Sequence, residues 1–272
     1  MLRIFLGKTS FLCQQKTYGE GRDDMEKQYV SRFSNNLQHN MGIRIYGQGG
    51  TPVLVFPTQD AMSDNFENFG MLDTLADYLD RGRIQLFCVD TVDIETWSNV
   101  WGDKDWRAGH QEAYYNYIID EVLPYIREVN GTGELPLAAG CSLGGMHAAI
   151  VFLRRPELFG GMLSLSGVYD AKFFFDGWLN PVLYDNSPID FLSNMDNNHS
   201  YIAQYNEKPL ILCVGQGAWE DEGRRTTAIM RDIFAAKGIQ GTVDFWGYDV
   251  DHDWYWWKQQ IRYFLPQLLH EN

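Results

Sequence analysis

From residue 53 onward the chain alternates short, mainly apolar runs with longer stretches whose apolar positions recur every three or four residues. The runs are Val53–Phe56, Ile84–Val89, Leu137–Gly140, Met162–Leu165 and Leu210–Val214. Their length and their lack of polar alternation predict strands buried on both faces. Between them, Met71, Leu72, Leu75, Ala76 and Leu79 share one helical face. Tyr114, Tyr117, Ile118, Val122 and Tyr125 share another, with Pro124 predicting a kink. Further helices pass through Met146, Ala149, Ile150 and Leu153, and over Ala228–Lys237, where Gly238 is the stop. Val243–Trp246 reads as a last strand, followed by a helix from about Trp254 towards Leu269. Repeated strand–helix units of this kind imply a mostly parallel central sheet with helices on both faces. Residues 26–47 alternate only in part (Tyr29, Val30, Phe33; Met41, Ile43, Ile45) and predict an N-terminal antiparallel hairpin at one sheet edge.

Two stretches break the rhythm. Residues 169–208 carry Pro181, Pro188 and many Asn and Asp, and read as an insertion over the C-terminal edge of the sheet, where a substrate pocket would sit. Residues 1–24 lie outside the pattern and read as a disordered or start-site extension ahead of a single domain, 25–272. A chain of 272 residues suits one α/β domain.

Composition removes several classes. A formal net charge of −14 argues against a nucleic-acid partner, whose phosphates demand a basic surface. No apolar run approaches the roughly 20 residues needed to span a bilayer, and the N-terminal patch lacks a sustained signal-peptide core. The expectation is a cytoplasmic protein with no membrane partner. Cys13, Cys88, Cys141 and Cys213 show no CxxC spacing, so neither a disulfide framework nor a zinc site is indicated. Gly7-Lys8-Thr9 lacks the upstream glycine of a phosphate-binding loop, and Gly47-Gln48-Gly49-Gly50 precedes a strand rather than following one. Asp249, Asp251 and Asp253 imitate a calcium loop, but Trp254 stands at its glycine position and Gln260 at its glutamate position. No metal or cofactor is expected.

The chemistry begins at Gly140-Cys141-Ser142-Leu143-Gly144, with Gly145 following. A G-x-S-x-G between a buried strand and a helix is a nucleophile elbow, the mark of the α/β-hydrolase fold. Serine occupies a tight turn, and the glycines remove side chains that would clash with the adjoining strand and helix. The turn also sets Ser142 at a helix start, where the Leu143 backbone N–H can face a developing oxyanion. A serine nucleophile needs a base, and in this fold the order is Ser, acid, His. Of the histidines after Ser142, His270 lies in the terminal tail and His199 in the polar insertion. His252 follows the final strand, where the base is presented. His147 is expected to pack on the sheet, and His39 and His110 fit no role. For the acid, Glu220, Asp221 and Glu222 all follow the strand Leu210–Val214, and at least one or two of them form a solvated helix start. The second oxyanion donor is expected from the loop after Val53–Phe56, at the backbone N–H of Gln59 or a neighbour. Trp101 and Trp106, after Ile84–Val89, and Phe174, in the insertion, are the candidates to line or cover the pocket.

These features resemble the putative esterase (esterase D-like) family, which also holds feruloyl esterases and mycobacterial mycolyltransferases. The likeness rests on VLVFPTQD at 53–60, IQLFCVD at 84–90, GCSLGG at 140–145, LSGVYD at 165–170, GQGAWEDE at 215–222 and WGYDVDHDWYWWKQQIRYFLP at 246–266. It spans roughly residues 26–268, and such proteins begin near Met25. It implies hydrolysis of small-molecule carboxylic esters through an acyl-enzyme, without metal or cofactor, and assigns nucleophile, acid and base to Ser142, Glu220 and His252. Geometry favours Glu220 to a lesser degree: Gly215 and Gly217 allow a sharp exit from the strand, and Trp219 is expected to anchor the turn by burial, pointing the next side chain inward. Acyl transfer to an alcohol would use the same residues. A non-catalytic binding protein of the same fold is the more distant alternative.

Overall fold

The computed structural model describes residues 25–271; the extension expected at 1–24, with Cys13, lies outside them. Eight strands form one sheet: β1 Lys27–Phe33, β2 Asn40–Tyr46, β3 Thr51–Phe56, β4 Ile84–Val89, β5 Leu137–Cys141, β6 Gly161–Leu165, β7 Leu210–Val214 and β8 Thr242–Phe245. Their spatial order is β1-β2-β4-β3-β5-β6-β7-β8. β1 and β2 pair antiparallel with each other, as do β2 and β4, and every other pairing is parallel. The N-terminal hairpin therefore sits at one edge, as its partial alternation predicts. Every residue of β4, β5, β6 and β7 is buried. β8, the other edge, is half-exposed throughout.

Alternate strand residues feed two cores. Leu54, Phe56, Phe87, Ala138, Met162 and Leu212 face one, and Val53, Val55, Leu86, Ala139, Leu163 and Ile211 face the other. The second is covered by α1 Asn65–Asn68, α2 Met71–Thr74, α3 Ala76–Asp80 and α11 Trp254–Leu268. The first is covered by α4 Lys104–Tyr117, α5 Leu123–Asn130, α6 Leu143–Arg154, α7 Pro181–Asp185, α8 Pro188–Asn194, α9 Ser200–Asn206 and α10 Asp221–Lys237.

Three elements depart from the periodicity. The face Met71–Leu79 is buried as expected, but two short helices share it, meeting at Leu75, where ψ opens to 8°. The kink at Pro124 takes the form of a widened π turn, Ile118–Val122, between α4 and α5. Proline offers no N–H to the carbonyl four residues back and crowds it, so the turn before it loosens. α10 starts at Asp221 rather than Ala228, with Asp221 and Glu222 complementing the positive end of the helix.

Much of the stretch 169–208 forms a packed layer. Leu183, Ile189, Leu192, Ile202 and Tyr205 are buried in the core that α4, α6 and α10 share. Its first turn, Ala171–Phe175, meets the loop that follows β4.

Candidate active site

The elbow is a steric construction. Ser142 joins β5 to α6 with φ 57° and ψ −128°, a positive φ that residues with a side chain seldom hold. A methyl group on Gly140 would lie 2.2 Å from the Gly144 carbonyl oxygen, and one on Gly144 would lie 2.4 Å from the carbonyl oxygens of Phe56 and Pro57. On Gly145 it would lie 2.6 Å from Ser164 Oγ. The strand, the helix and the loop after β3 thus close on the serine at distances that only glycine permits. The Ser142 N–H donates to the Leu165 carbonyl at 2.8 Å. Leu143 opens α6, so its N–H is among those that a helix leaves without an internal partner. The neighbouring Cys141 is buried, and burial pushes its thiol up, which keeps it neutral and inert.

His252 and Glu220, the candidate base and acid, arrive on two loops that are zipped together. The Gly217 N–H donates to the Val250 carbonyl (2.8 Å), the Gln216 N–H to that of Gly247 (3.2 Å) and the His252 N–H to that of Ala218 (3.0 Å). The Ala218 N–H reaches Asp251 Oδ1 at 2.6 Å. Gly215 and Gly217 serve this approach: a methyl on Gly215 would sit 2.1 Å from the Val250 carbonyl oxygen. Along this seam, His252 Nε2 lies 2.8 Å from Ser142 Oγ, and His252 Nδ1 lies 3.1 Å from Glu220 Oε2. Glu220 is 1% exposed, whereas the Asp221 side chain is 91% exposed and pairs with Arg224, and Glu222 pairs with Arg225.

One reason for expecting Glu220 was mistaken. Trp219 is 88% exposed, with φ 65°, so it anchors nothing by burial. The acid is held by its own partners instead. Glu220 Oε1 accepts a 2.5 Å hydrogen bond from Ser166 Oγ, and Ser166 Oγ accepts one of 3.0 Å from Trp257 Nε1. Ser166 and Trp257 are both buried, and neither stood out in the sequence. The signal available was a serine directly after a buried strand, at the sheet edge where the nucleophile also lies.

The remaining candidates are more dispersed. The methyl-sized gap at Gly144 brings the start of the loop after β3 against the first turn of α6, yet Gln59 itself is exposed, its side chain donating to Ser98 Oγ at 2.7 Å. Trp101 is 96% exposed, and Trp106 is half-exposed and stacks on His110. Phe174 is half-buried, its ring 5.3 Å from that of Trp97. Arg107 fastens these segments. Buried, it donates to the carbonyls of Thr96, Trp97 and Phe174 and lies 4.0 Å over the Phe175 ring. Burial holds its guanidinium below the usual value. His147 packs beneath the elbow with its Nε2 2.9 Å from Asp93 Oδ1, and His199 caps α9. Among the described residues no cluster of three or more His, Cys, Asp or Glu side chains is arranged to hold a metal ion, and no helix is long and apolar enough to cross a membrane.

Residues 34–268 match the family described as "Putative esterase". The chain belongs to that family. It is accordingly an enzyme, a serine hydrolase of the carboxylic-ester type. No curated protein sequence matches it. This esterase is similar in fold to a ferulic acid esterase (TM-score 0.71, 15% identity, covering 91% of this chain and 98% of the other). It is also similar to an S-formylglutathione hydrolase from Agrobacterium tumefaciens (0.70, 14%, 95% and 98%). A third similar structure is MPT51 of Mycobacterium tuberculosis (0.66, 14%, 88% and 98%). At such identities the likeness is one of fold: the α/β-hydrolase sheet with its antiparallel N-terminal hairpin.

Proposed function

We propose that this esterase cleaves small-molecule carboxylic esters through an acyl-enzyme on Ser142, with His252 as general base and Glu220 as its acidic partner. The observation that carries the reading is the unbroken line from Ser142 Oγ through both ring nitrogens of His252 to a buried carboxylate. A hydroxyl is a weak nucleophile until a base takes its proton, and imidazole Nε2 can do so only if Nδ1 carries the other proton. A carboxylate at Nδ1 selects that tautomer and stabilises the imidazolium formed on attack. The Leu143 N–H, at the positive end of α6, and a backbone N–H at or near Gln59 hold the tetrahedral oxyanion, and each such donor contributes about 10²–10³-fold in rate. His252 then returns the proton to the leaving alcohol, and water, activated by the same base, releases the acid. Trp101, Trp106 and Phe174 contact the ester's substituents.

The test is covalent labelling. A fluorophosphonate probe labels the wild type and leaves Ser142→Ala unlabelled, and kcat on p-nitrophenyl esters falls by about 10³-fold or more in the variant, because members of a triad act as a unit. Equal labelling of the two proteins overturns the assignment.

A further inference from the structure

We infer that Ser166 and Trp257 are positioning residues for the acid, setting from behind it the direction of every hydrogen bond that reaches the nucleophile. The inference rests on the triad reading above. An indole N–H can only donate. Ser166 Oγ must therefore be the acceptor in its 3.0 Å bond with Trp257 Nε1. That commits the single hydroxyl proton to Glu220 Oε1, at 2.5 Å, the length of a hydrogen bond to a charged oxygen. No other acceptor is bonded to Ser166 Oγ among the described residues. With Oε1 occupied by a donor, the carboxylate meets His252 through Oε2 alone and as an acceptor, so Nδ1 carries its proton and Nε2 offers its lone pair to Ser142. One donor-only group at the far end thus orders four hydrogen bonds.

Three independent features show that this arrangement is built rather than incidental. Ser166 has φ 53°, a second strained serine at the same edge of the sheet as Ser142, held by its N–H on the Cys213 carbonyl at 2.7 Å. Ser166, Glu220 and Trp257 are all at least 96% buried, so water has no access to replace a missing partner. The Trp257 ring also packs at right angles to His252, with centroids 4.9 Å apart, so one side chain steers both the acid and the base. Behind the carboxylate, Gly223 leaves just enough room: a methyl there would stand 3.1 Å from Glu220 Oε2.

The experiment compares Ser166→Ala, Trp257→Phe and the double variant. Ser166→Ala is expected to lower kcat about 10- to 100-fold, as befits a lost hydrogen bond to a charged group, with KM within about twofold because neither residue touches substrate. Trp257→Phe keeps a ring against His252 and is expected to cost less. The double variant is expected to be no worse than Ser166→Ala, since Phe keeps the ring against His252 and the lost indole N–H acts through the serine. In parallel, proton NMR without substrate reads the low-field resonance of the His252 Nδ1 proton, which is expected to move or broaden in each variant while far-UV circular dichroism stays native. A folded Ser166→Ala with unchanged kcat and an unchanged Nδ1 resonance overturns the inference, and so does a double variant whose loss is the product of the two single losses. Should Ser166→Ala fail to fold, an unmoved resonance in Trp257→Phe overturns it alone. A wild type that neither hydrolyses esters nor takes the fluorophosphonate overturns the catalytic reading instead, and the Nδ1 resonance still decides the positioning.

Discussion

The loops after β7 and β8 and the loops after β3 and β4 flank the same serine on opposite terms. The first pair is closed: backbone donors of one loop meet carbonyls of the other, a carboxylate is buried with both oxygens matched, and glycines stand wherever a methyl would collide. The second pair is open. Gln59 and Trp101 are exposed and Trp106 stacks on His110; the loops are tied by side-chain bonds, Ser98 with Gln59 and Asp60, Ser63 with Asp90 and Thr91 with Ala61, and buried Arg107 fastens the loop after β4 to Phe174. The difference fits the roles proposed for the two sides. An unmatched buried charge costs several kcal/mol, so the acid–base side has to be completed within the fold. On the proposed reading, the exposed groups of the other side find their partners in the substrate.

The comparison breaks most visibly at the acid. Glu220→Ala is expected to lower kcat about 10²–10⁴-fold, while Asp221→Ala and Glu222→Ala, which lose only surface pairs with arginines, stay near wild type. A crippled Asp221→Ala beside a normal Glu220→Ala would move the acid out of the closed side. A smaller effect belongs to the seam. Gly215→Ala forces a methyl against the Val250 carbonyl, and thermal melting should register a loss of about 1–3 kcal/mol together with reduced kcat. A melting temperature equal to the wild type would mean that the two loops are not locked. The smallest change is expected on the open side: Trp101→Ala should leave stability within about 0.5 kcal/mol and alter KM or acyl-chain preference a few-fold. If neither kinetic quantity moves, Trp101 is surface and no part of the pocket.

What could be read from the sequence follows the same division. Five central strands were legible because burial on both faces leaves runs that are apolar but for Gln85 and Ser164, and the elbow because its glycines answer a local collision. Ser142 and His252 followed from chain order. Glu220 was favoured partly for a wrong reason: Trp219 was expected inside, and the turn instead exposes it at positive φ. Ser166 and Trp257 went unread because the bond between them joins positions 91 residues apart, and no local pattern marks a serine that accepts from an indole. The breaks at Leu75 and before Pro124 lie below the resolution of periodicity, which tracks the buried face and not the hydrogen-bond pattern beneath it.

The half-exposed β8 has a consequence for how long the enzyme stays active. It is four residues long, pairs with β7 alone among the described residues, and hands the chain directly to the loop that carries His252. Ser142 rises from the middle of the sheet, but His252 is delivered from its rim. Units at a rim open at a lower free energy than the whole domain, and each such opening withdraws the imidazole while the central strands remain paired. With His252 as the proposed base, the free energy that protects activity is that of detaching one edge, a smaller quantity than the stability of the fold, and a substitution that tightens β8 onto β7 is expected to lengthen the working life of the enzyme without touching its chemistry.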